Sequence, residues 1–323
     1  MRLAVILIIE ADDLEQKCLL AVKSIRRQHP QDLDIYVVCP RKGKKLSNKT
    51  VETLKRFNAQ LIIKNLNREH SFFVFANKLY ALSHIESEQG QNYDYLIYMD
   101  ADMVLLKPFT LLFQNSEFLF AAKTSDNSNG MAQNPNKKVK WYWEWIYDSL
   151  NIQEDKKWTV ADFNGQQSFY AYFNGGLIIA KSTEGYFQKA MANFVLLSSQ
   201  KSFFKLSGLE LFYFEQMILS VTAMQMFLAE EVNILQNEWN YPLNSHTVLK
   251  NKLIWIDIKL LHYHEMFYGS NWQDLFSFDQ IEYQWLLETL PFTKYNKPVF
   301  RRVHSMFCYQ LFKLRHKYGI KLI

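Results

Sequence analysis

The chain reads as an α/β fold, a mostly parallel Rossmann-like sheet flanked by helices. Three observations predict it. Short apolar runs alternate with amphipathic stretches through the first hundred residues, the signature of repeated β-α units with right-handed crossovers. The run Leu96-Ile97-Tyr98-Met99 is uninterrupted, as a strand buried on both faces requires. It leads directly into Asp100 and Asp102, at the carboxyl end of a strand, where open sheets of this class carry their ligand sites.

In chain order, residues 3–9 form a first strand and 14–27 a helix with Cys18, Leu19, Val22 and Ile25 on one side. Residues 34–39 form a second strand, closed by Pro40 and a basic turn, and 48–57 a helix. A short strand at 60–64, a helix at 77–87 and a strand at 95–99 complete the opening half. The stretch 109–164 is less regular, with a polar loop at 125–140 and an aromatic cluster from Trp141 to Tyr147. Those rings fit either a platform for a sugar face or one side of a buried helix. Strand character returns at 172–181, helix at 209–227 and strand at 255–263. Neither a Gly-x-Gly-x-x-Gly nor a Walker loop follows the first strand, so a dinucleotide fold and a P-loop enzyme are unsupported.

Apolar residues make up 49% of the 323 and charged residues 21%, an ordinary globular composition. Cys18, Cys39 and Cys308 form neither a metal-ligand spacing nor an even framework, which points to a reducing compartment. Met1 runs into the first strand without a leader, and no apolar run is long enough to span a bilayer, so the expected location is cytoplasmic. After Glu288 the chain has no acidic residue, whereas Lys294, Lys297, Arg301, Arg302, Lys313, Arg315, Lys317 and Lys321 are basic. With apolar residues at three- and four-residue steps, this reads as a basic amphipathic helix. It would lie on an anionic membrane surface through residues 294–321, or pack on the domain with a solvated basic face. No nucleic-acid motif accompanies the charge, so a nucleic-acid partner is not expected.

Paired carboxylates at a strand end are costly unless a cation meets them, and a divalent metal holding a diphosphate satisfies both. Five segments bear on this chemistry: Ile9-Glu10-Ala11-Asp12-Asp13 after the first strand; Lys78-Leu79; Asp100-Ala101-Asp102; Phe173-Asn174-Gly175-Gly176; and Glu215-Gln216 together with Trp239-Asn240-Tyr241 and Leu261-His262-Tyr263. In kind and order they resemble the GT-A-fold nucleotide-sugar glycosyltransferases, closest to glycosyltransferase family 8 and the glycogenin-like enzymes. The resemblance implies a GT-A domain over 1–290, with a nucleotide-binding half at 1–108 and a donor-sugar and acceptor half at 109–290. The basic tail follows at 291–323.

It also implies roles. Asp12, with Asp13 beside it, would hydrogen-bond the base, the alternative being that Asp12 caps the next helix. Lys78 would reach the donor phosphate or sugar. Asp100 would touch ribose and metal. Asp102 and His262 would ligate Mn²⁺ or Mg²⁺, with His264 in reserve. Asn174, Gly175 and Gly176 would receive the donor sugar. Glu215 and Gln216 would lie at it, Gln216 near the reacting carbon of a retaining transfer to a glycan or glycolipid acceptor, as in polysaccharide or lipopolysaccharide biosynthesis.

Two departures stand out. The family's Asp-Gln-Asp is here Glu215-Gln216-Met217, and no lysine follows the metal histidine where the family holds the diphosphate. A catalytically inactive GT-A domain that binds glycan or membrane remains an alternative. A haloacid-dehalogenase-type phosphatase would need Asp100-x-Asp102 on its first strand and a later Gly-Asp-x-x-x-Asp, and the chain has neither.

Overall fold

In the computed structural model, which describes residues 1–43, 45–114, 117–125, 140–161, 168–206, 208–249, 257–269, 284–290, 292–294 and 309–314, the sheet is built outward from β1 (Leu3–Ile8). All six of its side chains are buried, as its apolar composition demands. Helix α1 (Asp13–Gln28) begins at Asp12, whose main-chain N–H donates to Glu15 Oε1 at 3.2 Å. Glu15 also accepts from Ser47 N (2.9 Å) and Thr50 Oγ1 (2.5 Å), tying α1 to the start of α2 (Asn48–Arg56). Between these helices lies β2 (Asp34–Cys39), and β3 (Ala59–Ile63) closes that side as an edge strand, with Ile63 67% exposed. Helix α3 (Ala76–Gln89) leads to the fully buried β4 (Tyr95–Met99).

After the two aspartates come β5 (Met103–Leu105), β6 (Phe120–Thr124) and α4 (Lys140–Ser149). Tyr142, Trp143, Ile146 and Tyr147 of α4 are buried, so the aromatic cluster forms mainly core, and Trp141 is its most exposed ring. The short pair β7 (Thr159–Ala161) and β8 (Ser168–Tyr170) precedes β9 (Phe173–Lys181) and α5 (Tyr186–Ser198). The helix expected at 209–227 is two, α6 (Gly208–Phe212) and α7 (Phe214–Met226), broken at Tyr213. The break leaves Phe212 half exposed against Phe75 while Phe214 enters the core on Trp145.

The chain continues through β10 (Val232–Ile234), β11 (Tyr241–Pro242), α8 (His246–Leu249), β12 (Leu260–His262) and α9 (Gln284–Leu287). The strand expected at 255–263 is thus confined to β12 among the described residues, and 255–256 lie outside them.

Seven strands form one sheet in the order β10-β6-β9-β4-β1-β2-β3. All neighbours pair in parallel except β9, which runs antiparallel to both β4 and β6. Alternate side chains of β1 feed two cores: Ala4, Ile6 and Ile8 meet α3, α5 and α7, whereas Leu3, Val5 and Leu7 meet α1. A second sheet, β11-β12-β5, has its own small core and sits directly beyond Asp102. No described helix is long and apolar enough to cross a membrane. Of the basic tail, residues 309–314 are helical and Phe312 is buried against His70, Phe72 and Phe204. Most of its basic residues lie outside the described residues, as does Cys308.

Candidate active site and metal centre

Backbone pairing assembles the site before any side chain does. The N–H of Asp100 donates to Gly176 O at 2.8 Å, extending the β4–β9 ladder into the aspartate turn. Across the turn, β5 pairs antiparallel with β12, His262 opposite Met103, and Tyr263 N donates to Asp102 O at 3.1 Å. His264 adopts φ 50°, the left-handed region that histidine tolerates better than most residues, and its ring lies 3.8 Å from that of His262. One ligand atom each from Asp102, His262 and His264 therefore falls within 4.8 Å of the others. His262 Nε2 stands 3.2 Å from Asp102 Oδ1.

A carboxylate and two imidazoles suit Mn²⁺ or a similar divalent ion. The wall behind them is close: a Cβ on Gly176 would stand 2.9 Å from His262 Cε1. The residues present fit a divalent cation. Asp100 is not part of this cluster. Its carboxylate accepts from Tyr98 Oη and lies 3.6 Å from Lys78 Nζ.

These groups line a cavity of about 530 Å³. Lys78, Asp100, Asp102, Asn174, Gly175, Gly176, Glu215, Gln216, His262 and His264 all reach it. Asp12 and Asp13 do not line it, although Leu14 does. Asp12 has φ 76°, an uncommon conformation for any residue but glycine.

The charges pair closely. Lys78 Nζ is 2.5 Å from Glu215 Oε1 and donates to Gly175 O at 2.8 Å, so it neutralises a buried carboxylate within the site. Burial depresses a lysine, but Asp100 and Glu215 outweigh it and leave Lys78 above its usual value. Glu215 is raised, since its burial exceeds the pull of Lys78. At Asp102 burial acts upward, yet His262 and then Lys17 hold the carboxyl well below the ordinary range. His264 is pushed down to about 3 by burial and by His262. The amide of Gln216 is fully engaged, accepting from Gly175 N (2.9 Å) and donating to Tyr172 Oη (2.6 Å) and Ser125 Oγ (3.4 Å).

Two cations escaped the sequence reading. Lys17 of α1 lies 3.9 Å from Asp102 Oδ2 and 2.9 Å from Glu265 Oε1. Its signal was a lysine on the same helical stripe as Leu14, Cys18 and Ala21, an otherwise apolar face. Lys123 lies within the wholly buried strand β6, lines the cavity and donates to Asn240 O at 3.1 Å. Burial pushes it down to about 7. A lysine inside an apolar strand was the visible clue.

Residues 5–226 match the family model described as the Rhodobacterales glycosyltransferase domain. This chain belongs to that glycosyltransferase family. The glycosyltransferase resembles GlyE of Streptococcus pneumoniae TIGR4 with TM-score 0.50 and 14% identity, over 92% of this chain and 66% of that one. WbbM, a bifunctional glycosyltransferase, aligns over 81% of this chain and 45% of its own, at TM-score 0.49 and 17% identity. The galactosyltransferase LgtC aligns over 90% and 97%, at TM-score 0.47 and 11% identity. The glycosyltransferase thus spans under half of the WbbM chain and about two-thirds of the GlyE chain. At these identities the likeness is one of fold, the GT-A arrangement of a mostly parallel sheet between helices. No curated protein matches the chain.

Proposed function

We propose that this glycosyltransferase is metal-dependent and moves a sugar, with retention, from a UDP-sugar to a glycan or glycolipid acceptor, as a relative of family 8. The observation that carries the reading is the cluster of Asp102, His262 and His264 beside Asp100 in one cavity. Asp102, His262 and His264 would hold a Mn²⁺ or Mg²⁺ ion, which would supply counter-charge to the departing nucleoside diphosphate.

The chain's own groups do the rest. Lys78 fixes Glu215 and the Gly175 carbonyl, so the floor under the donor sugar is rigid. The Asn174 Nδ2 group is the donor it has left for a sugar hydroxyl, because its Oδ1 already accepts from Gly176 N and Asn240 Nδ2. Gln216 holds Gly175 against the reacting carbon. Lys17 and Lys123 take the place of the family's missing diphosphate lysine. Asp12 and Asp13, which precede the cavity-lining Leu14, would meet the nucleotide base.

At the cavity mouth, Phe75, Phe212 and Tyr213 form an aromatic lip, with ring centroids 4.6 and 4.8 Å apart. The C–H face of an acceptor sugar rests well on such rings. Residues 1–290 form the catalytic domain in this reading. The basic tail at 291–323 brings it to the inner face of a membrane, from the cytoplasm.

Titrating UDP into the protein with MnCl₂ and then with EDTA, and repeating this on Asp102→Asn, tests the reading. Binding that needs both metal and Asp102 is expected. Equal binding in EDTA overturns the metal centre. No UDP binding in either buffer overturns the donor, and GDP and ADP are then the next titrants.

A further inference from the structure

A chain of amide contacts runs behind the metal cluster, and each link fixes the orientation of the next. The main-chain N–H of Gly176 donates to Asn174 Oδ1 at 2.9 Å. A backbone N–H has no alternative role, so the Asn174 oxygen must face it. The Asn240 side chain meets that same oxygen at 2.8 Å, and an acceptor already in place requires the Asn240 amino group there. Asn240 Oδ1 is thereby left facing His262 Nδ1 at 2.9 Å. An amide oxygen only accepts, so Nδ1 must carry the proton, and the lone pair of a neutral His262 then lies on Nε2, the nitrogen turned toward Asp102.

Asn240 is itself held for this task. Its φ of 62° is a left-handed conformation that asparagine tolerates, and its carbonyl accepts from Lys123 at 3.1 Å.

We propose that Asn240 is a positioning residue that presents the His262 Nε2 lone pair to a divalent cation, its own amide oriented by the Gly176 N–H through Asn174. The inference rests on the metal-dependent reading given above. Its first test, however, needs no metal. In protein labelled with ¹⁵N-histidine, stripped of metal and held well above the ordinary histidine pKa of about 6.5, long-range ¹⁵N–¹H spectra report the His262 tautomer, with His262→Gln identifying the signal. Wild type and Asn240→Asp should carry the proton on Nδ1, because both keep an acceptor opposite it. Asn240→Gly, which keeps the left-handed backbone free of strain, should shift the proton to Nε2. Wild-type His262 with its proton on Nε2 overturns the proposal.

The second readout is Mn²⁺ affinity by calorimetry. Removal of an outer-shell partner of this kind weakens metal binding about 10–100-fold. That loss is expected for Asn240→Gly and not for Asn240→Asp. Wild-type affinity in Asn240→Gly, or an equal loss in both variants, overturns the proposal, since the second result would make Asn240 only a brace for Asn174. If wild type binds no divalent ion, the metal-dependent reading fails, and the tautomer measurement still decides the role of Asn240.

Discussion

Gly176 offers a sharp perturbation of the site. A Cβ built there stands 2.6 Å from Met103 Cε, 2.9 Å from Asn174 Oδ1 and 2.9 Å from His262 Cε1. The methionine is the end of a flexible chain and yields at little cost. The other two do not: Asn174 Oδ1 is fixed by two donors, and His262 is fixed by Asn240 and by its strand. Overpacking of this kind costs about 1–3 kcal/mol, so Gly176→Ala should lower Tm by several degrees. Displacing His262 should also weaken Mn²⁺ binding by about 10–100-fold, the usual penalty for a misplaced metal shell.

The neighbouring residue is the control. A Cβ on Gly175 meets Lys78 Nζ and Glu215 Oε1 at 3.0 Å and Gln216 Oε1 at 3.5 Å, all ends of side chains on the donor-sugar side. Gly175→Ala should leave Mn²⁺ affinity unchanged and raise the donor KM. Calorimetry with Mn²⁺ and a thermal melt on both variants decide it. A Gly176→Ala protein that binds Mn²⁺ like wild type refutes the claim that β9 backs the metal cluster.

Three further outcomes are expected. Lys78→Met strands the buried Glu215 carboxylate and should cost about 3–5 kcal/mol in urea unfolding, part of which the double variant Lys78→Met, Glu215→Met recovers; a double variant whose loss equals the sum of the two single losses would show that the pair is not coupled. Lys123, pushed down to about 7, opposes folding while the unfolded chain holds the proton more readily than the native one. Wild-type stability should therefore rise between about pH 7 and the ordinary lysine value near 10.4, by at most about 1.4 kcal/mol per pH unit. Lys123→Met should lack that slope, and parallel curves for the two proteins would contradict it. Phe212→Ala removes a half-exposed ring, so it should leave Tm and donor hydrolysis intact while raising the acceptor KM.

The strands at 34–39 and 95–99 are legible to the residue because each holds an unbroken apolar run, Ile35–Cys39 and Tyr95–Met99, bounded by polar or turn residues. What the sequence conceals is direction. Nothing in Phe173-Asn174-Gly175-Gly176 states that β9 runs against its neighbours, since reversing a strand leaves its burial pattern unchanged. The aspartates and His262 are visible as motifs, but the meeting of His264 with Asp102 depends on a left-handed backbone at one residue. Lys17 and Lys123 were hidden for a different reason: a lone lysine is ordinarily a surface residue, and only packing from distant elements makes these two buried.

The reversal of β9 also separates what can vary from what cannot. Because β9 starts at the edge where β4 ends, the main-chain hydrogen bond from Asp100 to Gly176 sets the aspartate turn against the Asn174–Gly176 segment. The chain between them leaves after β5, enters the sheet once as β6, which pairs with β9, and returns at β9. Insertions and deletions away from β6 and α4, which belong to the sheet and its core, could remodel what approaches the cavity from outside while β4 and β9 keep their register. An ancestor with this topology could change acceptors without rebuilding its chemistry.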